Sequence, residues 1–332
     1  MKPDEKTLSE TDIQTLVEFQ ANKALVVLDS QVLNALMGCY RLADFRFNHN
    51  FQSISGKSNS LEIGSIIHKF LELYYHIPTI GGSKKDAFEA GMLAAELYIQ
   101  GCSHCTDFQG NGRPSCGHKP DDFPGVRNTP PNDENGKTGW QWALDTCKQY
   151  SDFWKDDHWI PLFTERVKSK ILYTDDEMQI LWKAKIDLSA DTNQGIYPVD
   201  HKTGKQNREI IVLNPQFIGQ TLVSNTNMMI VNKIGLQKTL KPEEKFIRVP
   251  VSYNSDLQLE FQSEILPYYA SMMIHCAKTG YWPPNYTNCE SKFGKCAFYD
   301  ICKTTPETRQ ELLMNQFIVG PNWNPTNEAE GE

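Results

Sequence analysis

Two short runs decide most of what this chain can become. Residues 180–190 and 196–203 have strand composition, and residues 191–195 between them have turn composition. With Asn193 and Gln194 at the centre of the turn, Asp187 stands opposite Asp200. The Cβ atoms of opposed residues lie about 4.5–5.5 Å apart, so these two carboxylates can share one divalent cation. Residues two apart in a strand point to the same face, which projects Lys202 beside Asp200: an ammonium for a nearby anion or water next to a carboxylate for a metal. Hairpins carrying Asp and Lys are common, and taken alone this one is equally an ordinary exposed turn.

The flanking sequence gives the hairpin a setting. Ile160–Thr174, with Glu165 near its start, precedes residues 178–190 and 196–203, and the three runs predict an antiparallel meander. Residues 214–225 read as a helix with Pro215 in its first turn, placing Gln216 and Gln220 on one face, which alone reads as a solvated surface. Residues 61–75 form an amphipathic helix whose apolar stripe is Ile63, Ile66, Ile67, Phe70, Leu71 and Tyr74. His68 lies at the edge of that stripe, one turn after Gly64. A helical Gly costs about 1 kcal/mol against Ala, so its presence predicts a close approach there. A single helical His is more often a packed side chain than a ligand. Further helices are expected over residues 12–28, after Asp29 and Ser30, and over Lys84–Gln100, 138–157 and 256–279, with a strand over 244–253. Mixed strands and helices of this order predict an α/β fold.

The chain has 332 residues, enough for a sizeable core, and nine cysteines. Its net charge of −8 argues against a surface coated in basic groups but leaves room for a local basic groove. A polar, acidic N-terminus is not a secretory signal, and no apolar run approaches the ~20 residues of a membrane span. The expectation is a reducing compartment, in which thiols bind metals rather than pair. Residues 101–137 have little apolar content but carry Cys102, Cys105, Cys116 and His118, with His104 as a competing ligand, and are expected to hold a structural Zn²⁺. The tail carries Cys289, Cys296 and Cys302, one short of the four thiolates that hold an iron–sulfur cluster. Cys39 and His275 are candidate fourth ligands; Cys39 is equally a buried core residue, and thiol count alone does not separate zinc from a cluster.

Taken in order, Cys39, Gly64-x-x-x-His68, Glu165, Asp187-Leu, Asp200-x-Lys-Thr-Gly, Gln216 and Cys289-x6-Cys296-x5-Cys302 resemble the RecB-type branch of the PD-(D/E)XK nucleases. More narrowly, the pattern resembles the group with a C-terminal iron–sulfur clasp, which includes the AddB nuclease domain and iron–sulfur exonucleases. The resemblance implies a restriction-endonuclease-like α/β core, with a central mixed sheet flanked by helices, a helical N-terminal part, the cysteine-rich insertion and the clasp. It implies a polar, helical lead-in at 1–29, a single nuclease domain at 30–303 with the metal-binding insertion at 101–137, and a partly disordered tail at 304–332. It assigns Asp187, Asp200, Lys202, His68, Glu165 and Gln216 to catalysis. Mg²⁺ or Mn²⁺ would be held by His68, Asp187, Asp200 and the carbonyl of His201. A 4Fe–4S cluster would be held by Cys39, Cys289, Cys296 and Cys302. The family's Tyr after the Gln is Gln220 here, and its first two tail cysteines stand closer together than Cys289 and Cys296.

The activity implied is metal-dependent hydrolysis of DNA phosphodiesters, as an exonuclease on single strands or free ends, in recombination, repair or phage DNA metabolism. The expected partners are DNA and a helicase or recombination protein, not a membrane. The expected compartment is the cytoplasm of a bacterial or phage-infected cell, with an organelle or nucleus also open. Lys183, Lys185, Lys202, Lys205 and Arg208 would meet phosphates, and Trp182 or Tyr197 would stack on bases. Two rivals remain: a non-catalytic iron–sulfur DNA-binding subunit of a helicase–nuclease complex, and a zinc-scaffold interaction protein.

Overall fold

A computed structural model describes residues 16–19, 23–53, 59–100, 139–205, 210–291 and 294–319. Its centre is a seven-stranded mixed sheet of β1 (Val17–Phe19), β2 (Ala24–Leu28), β4 (Ile160–Thr174), β5 (Met178–Thr192), β6 (Gly195–Gly204), β7 (Met228–Gly235) and β8 (Phe246–Ser252). A separate short strand, β3 (Phe51–Ser53), pairs with Phe317–Val319 away from this sheet.

β4 and β5 pair along almost their whole length, as the expected meander requires. The other edge of β5 is divided. Its first part pairs in parallel with β2, ending at Leu28 opposite Trp182. Its last part pairs antiparallel with β6, ending at Leu188 opposite Val199. Beyond Val199, β6 continues in parallel with β7, and β7 pairs antiparallel with β8. The sheet therefore forks just where Asp187 and Asp200 stand, and an open sector is left along residues 183–187.

Helices cover both faces. On one side α1 (Ser30–Gly38), α5 (Pro215–Val223) and α6 (Leu266–Thr279) bury Val32, Leu36, Phe217, Leu222, Ala270 and Met273 against Val26, Ile180, Trp182 and Val231. On the other, α2 (Asn59–Thr79), α3 (Lys84–Gln100) and α4 (Gly139–Phe153) bury Ile66, Phe70, Tyr74, Ala95 and Tyr150 against Leu188, Val199, Ile230 and Phe246. Complete burial of a side chain of this size contributes about 1.5–3 kcal/mol, so these two layers hold the fork rigid. A third cluster of Phe45, Phe51, Phe298, Ile301, Leu313 and Phe317 ties residues 298–317 to the segment after α1.

Three expectations need correction. The helix over residues 12–28 is not formed where the chain is described: β1 and β2 pair antiparallel there, and β2 enters the main sheet. Ala24-Leu-Val-Val-Leu is rich in β-branched residues and alternates in burial, the signature of a strand. The lead-in is thus partly sheet. β7 was not anticipated; Met228–Ile234 is buried on both faces and so lacks the alternation that marks an exposed strand. The long terminal helix is interrupted by a π segment, Phe261–Ile265, before α6. Asp29 does cap α1, its Oδ1 accepting from the Val32 amide at 2.8 Å. No helix among the described residues is long and apolar enough to cross a membrane.

Candidate active site

The β5–β6 turn has the anticipated register. Thr192 faces Gly195 across Asn193 and Gln194, and Leu188 faces Val199, so Asp187 and Asp200 are the next opposed positions. At that point the ladder ends, and the carboxylates take over from it. Asp187 Oδ2 accepts the His201 backbone amide at 2.8 Å. Asp200 is fully buried, and its Oδ1 accepts from Gln216 Nε2 at 2.7 Å and Gln220 Nε2 at 3.3 Å. Lys202 Nζ lies 2.7 Å from Asp200 Oδ2 and donates to Gln216 Oε1 at 3.1 Å. The first of these is a charge contact without hydrogen-bond alignment, which leaves Oδ2 buried and unbonded.

α5 supplies the two glutamines because it packs into the open sector of the fork. Pro215 and the Asn214 side chain, which accepts the Gln216 amide at 3.0 Å, start the helix there. Gly219 lies against Trp182; a Cβ at that position would come within 2.2 Å of the indole nitrogen. That approach lets Gln220 reach the Lys185 carbonyl at 3.0 Å, on the stretch of β5 that neither β2 nor β6 pairs with. Gln220 therefore replaces a missing ladder partner as well as holding Asp200. A solvated role for this face does not survive: Gln220 is buried. Its amide does what a tyrosine hydroxyl could do only in part, since it reaches a carbonyl and a carboxylate together.

α2 brings His68 to the same place. His68 Nδ1 is 4.0 Å from Asp187 Oδ2. The close approach expected at Gly64 is to Thr203 of β6, whose Oγ1 would lie 2.7 Å from an added Cβ. Burial pushes His68 below the usual imidazole range, against the pull of Glu165 and Asp200. Burial, then the neighbouring carboxylates Asp200 and Glu165, pushes Asp187 well above the usual carboxylate range. Glu165 sits at φ +50, a left-handed conformation unusual for a non-glycine, and ion-pairs Lys185 at 2.7 Å. Strain of that kind costs on the order of 1–3 kcal/mol and often marks a functional position. Lys185 is thereby committed to Glu165.

His201 divides its roles. Its backbone meets Asp187, while its ring turns to the opposite face and stacks on Tyr75 at 5.7 Å. Its Nδ1 contacts Asn232 Nδ2 at 2.8 Å, and Asn232 also donates to the Tyr150 hydroxyl, which is 2.6 Å from that of Tyr75. Arg248 donates to Tyr75 at 3.1 Å, is held by Asp157 at 2.9 and 2.5 Å, and lies between Trp154 and Trp159. Burial drives the His201 ring far below its ordinary imidazole range. Nothing in the local sequence marks this network, which joins residues up to 173 positions apart.

The four clasp thiols also converge. Cys39, Cys289, Cys296 and Cys302 line one cavity of about 110 Å³, with Phe45 and Phe298. The Asn285 amide donates to Cys39 Sγ at 3.3 Å. Burial pushes the Cys302 thiol up, against the pull of a hydrogen bond from Arg41, and pushes Cys289 up together with its three neighbouring thiols. His275 is exposed on α6 and does not line this cavity. Cys147 is buried in the core as expected. Cys102, Cys105, Cys116 and His118, like Arg208, lie outside the described residues. Trp182 is fully buried against Gly219 and Phe261, which removes it as a base-stacking surface; Tyr197 bonds the Gln194 carbonyl in the turn.

Among the described residues, no three His, Cys, Asp or Glu side chains have their donor atoms already drawn together as a metal would hold them. The residues nonetheless fit a divalent cation: two opposed carboxylates beside a histidine whose imidazole burial holds below its ordinary range. The four thiols on one cavity, with a backbone amide donating to sulfur, fit a soft-metal centre.

No family model matches the chain, and no curated protein does. Among solved structures it is similar to a candidate exonuclease from Eubacterium rectale, with a TM-score of 0.43 and 11% identity over 92% of this chain and 94% of that one. It is also similar to SSO0001, with a TM-score of 0.30 and 11% identity over 50% of this chain and 69% of that one.

Proposed function

We propose that the chain is a metal-dependent deoxyribonuclease of the PD-(D/E)XK kind, acting on single-stranded or free-ended DNA. The observation that carries this reading is the convergence at the fork of two opposed carboxylates, Asp187 and Asp200, with His68 4.0 Å from Asp187 and the Lys202 ammonium 2.7 Å from Asp200.

Asp187, Asp200, the His201 carbonyl and His68 would hold Mg²⁺ or Mn²⁺. Such an ion polarises a phosphoryl oxygen and lowers the pKa of water at neutral pH. The chain's own groups do the rest. Gln216 and Gln220 fix the Asp200 carboxylate through Oδ1, so that Oδ2 faces the Lys202 ammonium. Lys202, 43% exposed, presents an ammonium to the incoming phosphate and to the charge that develops on it. The His201 amide fixes Asp187, and the ring behind it anchors the strand on the buried Tyr75–Asn232–Arg248 network. Cys39, Cys289, Cys296 and Cys302 would hold a 4Fe–4S cluster, which would clasp the end of α1 to residues 289–302. A helicase or recombination partner and a Zn²⁺ at 102–118 belong to the same reading.

The test is cleavage of end-labelled linear single-stranded DNA against a closed circle of the same sequence, with Mg²⁺, Mn²⁺ or EDTA. Degradation of the linear strand alone, dependent on metal, is expected. A protein that binds DNA without cutting it under any of these conditions would support the non-catalytic rival instead.

A further inference from the structure

β4 forms an edge of the main sheet: among the described residues it pairs with β5 alone. Its middle sets two cations on one aromatic ring. The Arg166 guanidinium lies 4.7 Å from the Phe163 ring centroid and the Lys168 ammonium 5.0 Å from it. The two charges thus stand within about 10 Å of each other, one Debye length at ~0.1 M salt, and their repulsion is not fully screened. Partial burial, and then Arg166 itself, pull Lys168 below the ordinary ammonium range. The ring face offsets part of each charge but offers no oxygen to the N–H donors. Among the described residues neither cation pairs with a carboxylate; the adjacent Glu165 is taken by Lys185 at 2.7 Å. An anion held between the two would offset what the ring does not.

The register says which way they point. Arg166 is opposite Ile186 and Lys168 opposite Ala184 in the β4–β5 ladder. Ile186 and Ala184 pack in the cluster that α5 covers, and opposed residues share a face. Both cations therefore project on the α5 side of the sheet, the side from which Gln216 and Gln220 reach Asp200. Lys170, next on that face, is committed to the end of α5, donating to the Leu222 carbonyl at 3.3 Å and to Asn225 at 2.7 Å. Two strand residues carry the chain about 7 Å, close to two phosphate intervals of ~3.4 Å on one DNA strand. A guanidinium grips a phosphate through two parallel N–H bonds, and an ammonium meets one as a point charge. The Phe163 ring packs against the core and carries both cations, so this edge offers charge rather than a stacking surface.

We infer that Arg166 and Lys168 hold the backbone of a DNA strand by neighbouring phosphates, beyond the one at the carboxylates, without reading its bases. The inference deepens the nuclease reading and rests on it, because that reading makes DNA the anion that meets this edge. It gives the site a substrate that must run from Asp200 to the β4 edge, and an affinity independent of sequence.

Fluorescence anisotropy of labelled single-stranded DNA with the full chain in EDTA, from about 50 to 200 mM salt, tests it without any cleavage. Oligothymidylate and a mixed sequence serve as probes. Each phosphate contact on a single strand adds about 0.7 to the slope of log affinity against log salt. The double variant Arg166→Gln/Lys168→Gln is expected to lose about 1.4 of that slope on both probes, about 25-fold in affinity at ~0.1 M salt. Arg166→Lys/Lys168→Arg keeps both charges and should keep the slope. Lys85→Gln, which removes an exposed cation from α3, should leave it unchanged. An unmoved slope in the double Gln variant, the same loss in Lys85→Gln or in the charge-keeping variant, a loss on one probe alone, or no binding of DNA overturns the inference. If binding depends on both cations but DNA is never cut with any metal, the backbone contact stands and the nuclease reading falls. If DNA is cut while the slope ignores both cations, the reverse holds.

Discussion

Gly64→Ala tests whether the contact between α2 and β6 sets the site. The new Cβ would lie 2.7 Å from Thr203 Oγ1, short of the 3.4 Å at which ordinary contact begins, while Thr203 Cβ at 3.9 Å is already in ordinary contact. The clash is therefore with one atom. Alanine gains about 1 kcal/mol of helix propensity over glycine. Overpacking at a close contact costs roughly 1–3 kcal/mol. The net change in stability is expected between about zero and 2 kcal/mol of loss. Activity should suffer more, because His68 is one turn further along the same helix, and a displacement approaching 1 Å in a catalytic group costs up to about a hundredfold. We expect Gly64→Ala to lose about tenfold or more in metal-dependent cleavage of end-labelled single-stranded DNA. The double variant Gly64→Ala/Thr203→Ala removes Oγ1 and should recover most of the loss, with Thr203→Ala alone as the third corner of the cycle. Full activity in Gly64→Ala, or no recovery in the double variant, refutes the reasoning.

Three further outcomes follow from the same geometry. Burial raises the Asp29 carboxyl to about 6, so its folded pKa lies above its unfolded value of about 3.9. Stability contributed by its protonated form is then present below pH 4 and lost as pH rises through 6, at a cost of roughly 3 kcal/mol by neutrality. Asp29→Asn keeps an equivalent cap and should flatten that slope in urea unfolding at pH 4.5 and 7; an unchanged slope counts against it. Gln220→Leu strips partners from the Lys185 carbonyl and Asp200, and is expected to lower unfolding free energy by about 1–3 kcal/mol; equal stability in urea would show that the fork does not need it. Cys39→Ser, purified anaerobically, should lose the iron and sulfide bound by the parent chain; full retention would remove Cys39 from the ligand set.

The parts of the fold that the sequence announced are those fixed by local chemistry. Asn193 and Gln194 define a two-residue turn, and once that turn is placed the opposition of Asp187 and Asp200 follows from strand geometry alone. Gly64 was legible as a close approach, though not what approached it. The fork itself was hidden, because β7 is buried on both faces and β2 lies in a stretch whose apolar spacing also satisfies a helix. Without β7 nothing indicates that β6 leaves β5 at Val199, and without that departure Gln220 has no unpaired carbonyl to serve. The Arg248–Tyr75–His201 network depends on that same pairing of distant strands.

The central claim is that one divalent cation is held between Asp187 and Asp200. Titration of Mn²⁺ into the metal-free chain, followed by electron paramagnetic resonance, measures this directly. One bound ion is expected in the parent chain, with its loss in Asp200→Asn while the circular dichroism spectrum stays intact, and a parallel loss of cleavage. Undiminished Mn²⁺ binding in that variant, or cleavage that continues in it, would show that the ion is not held by Asp200.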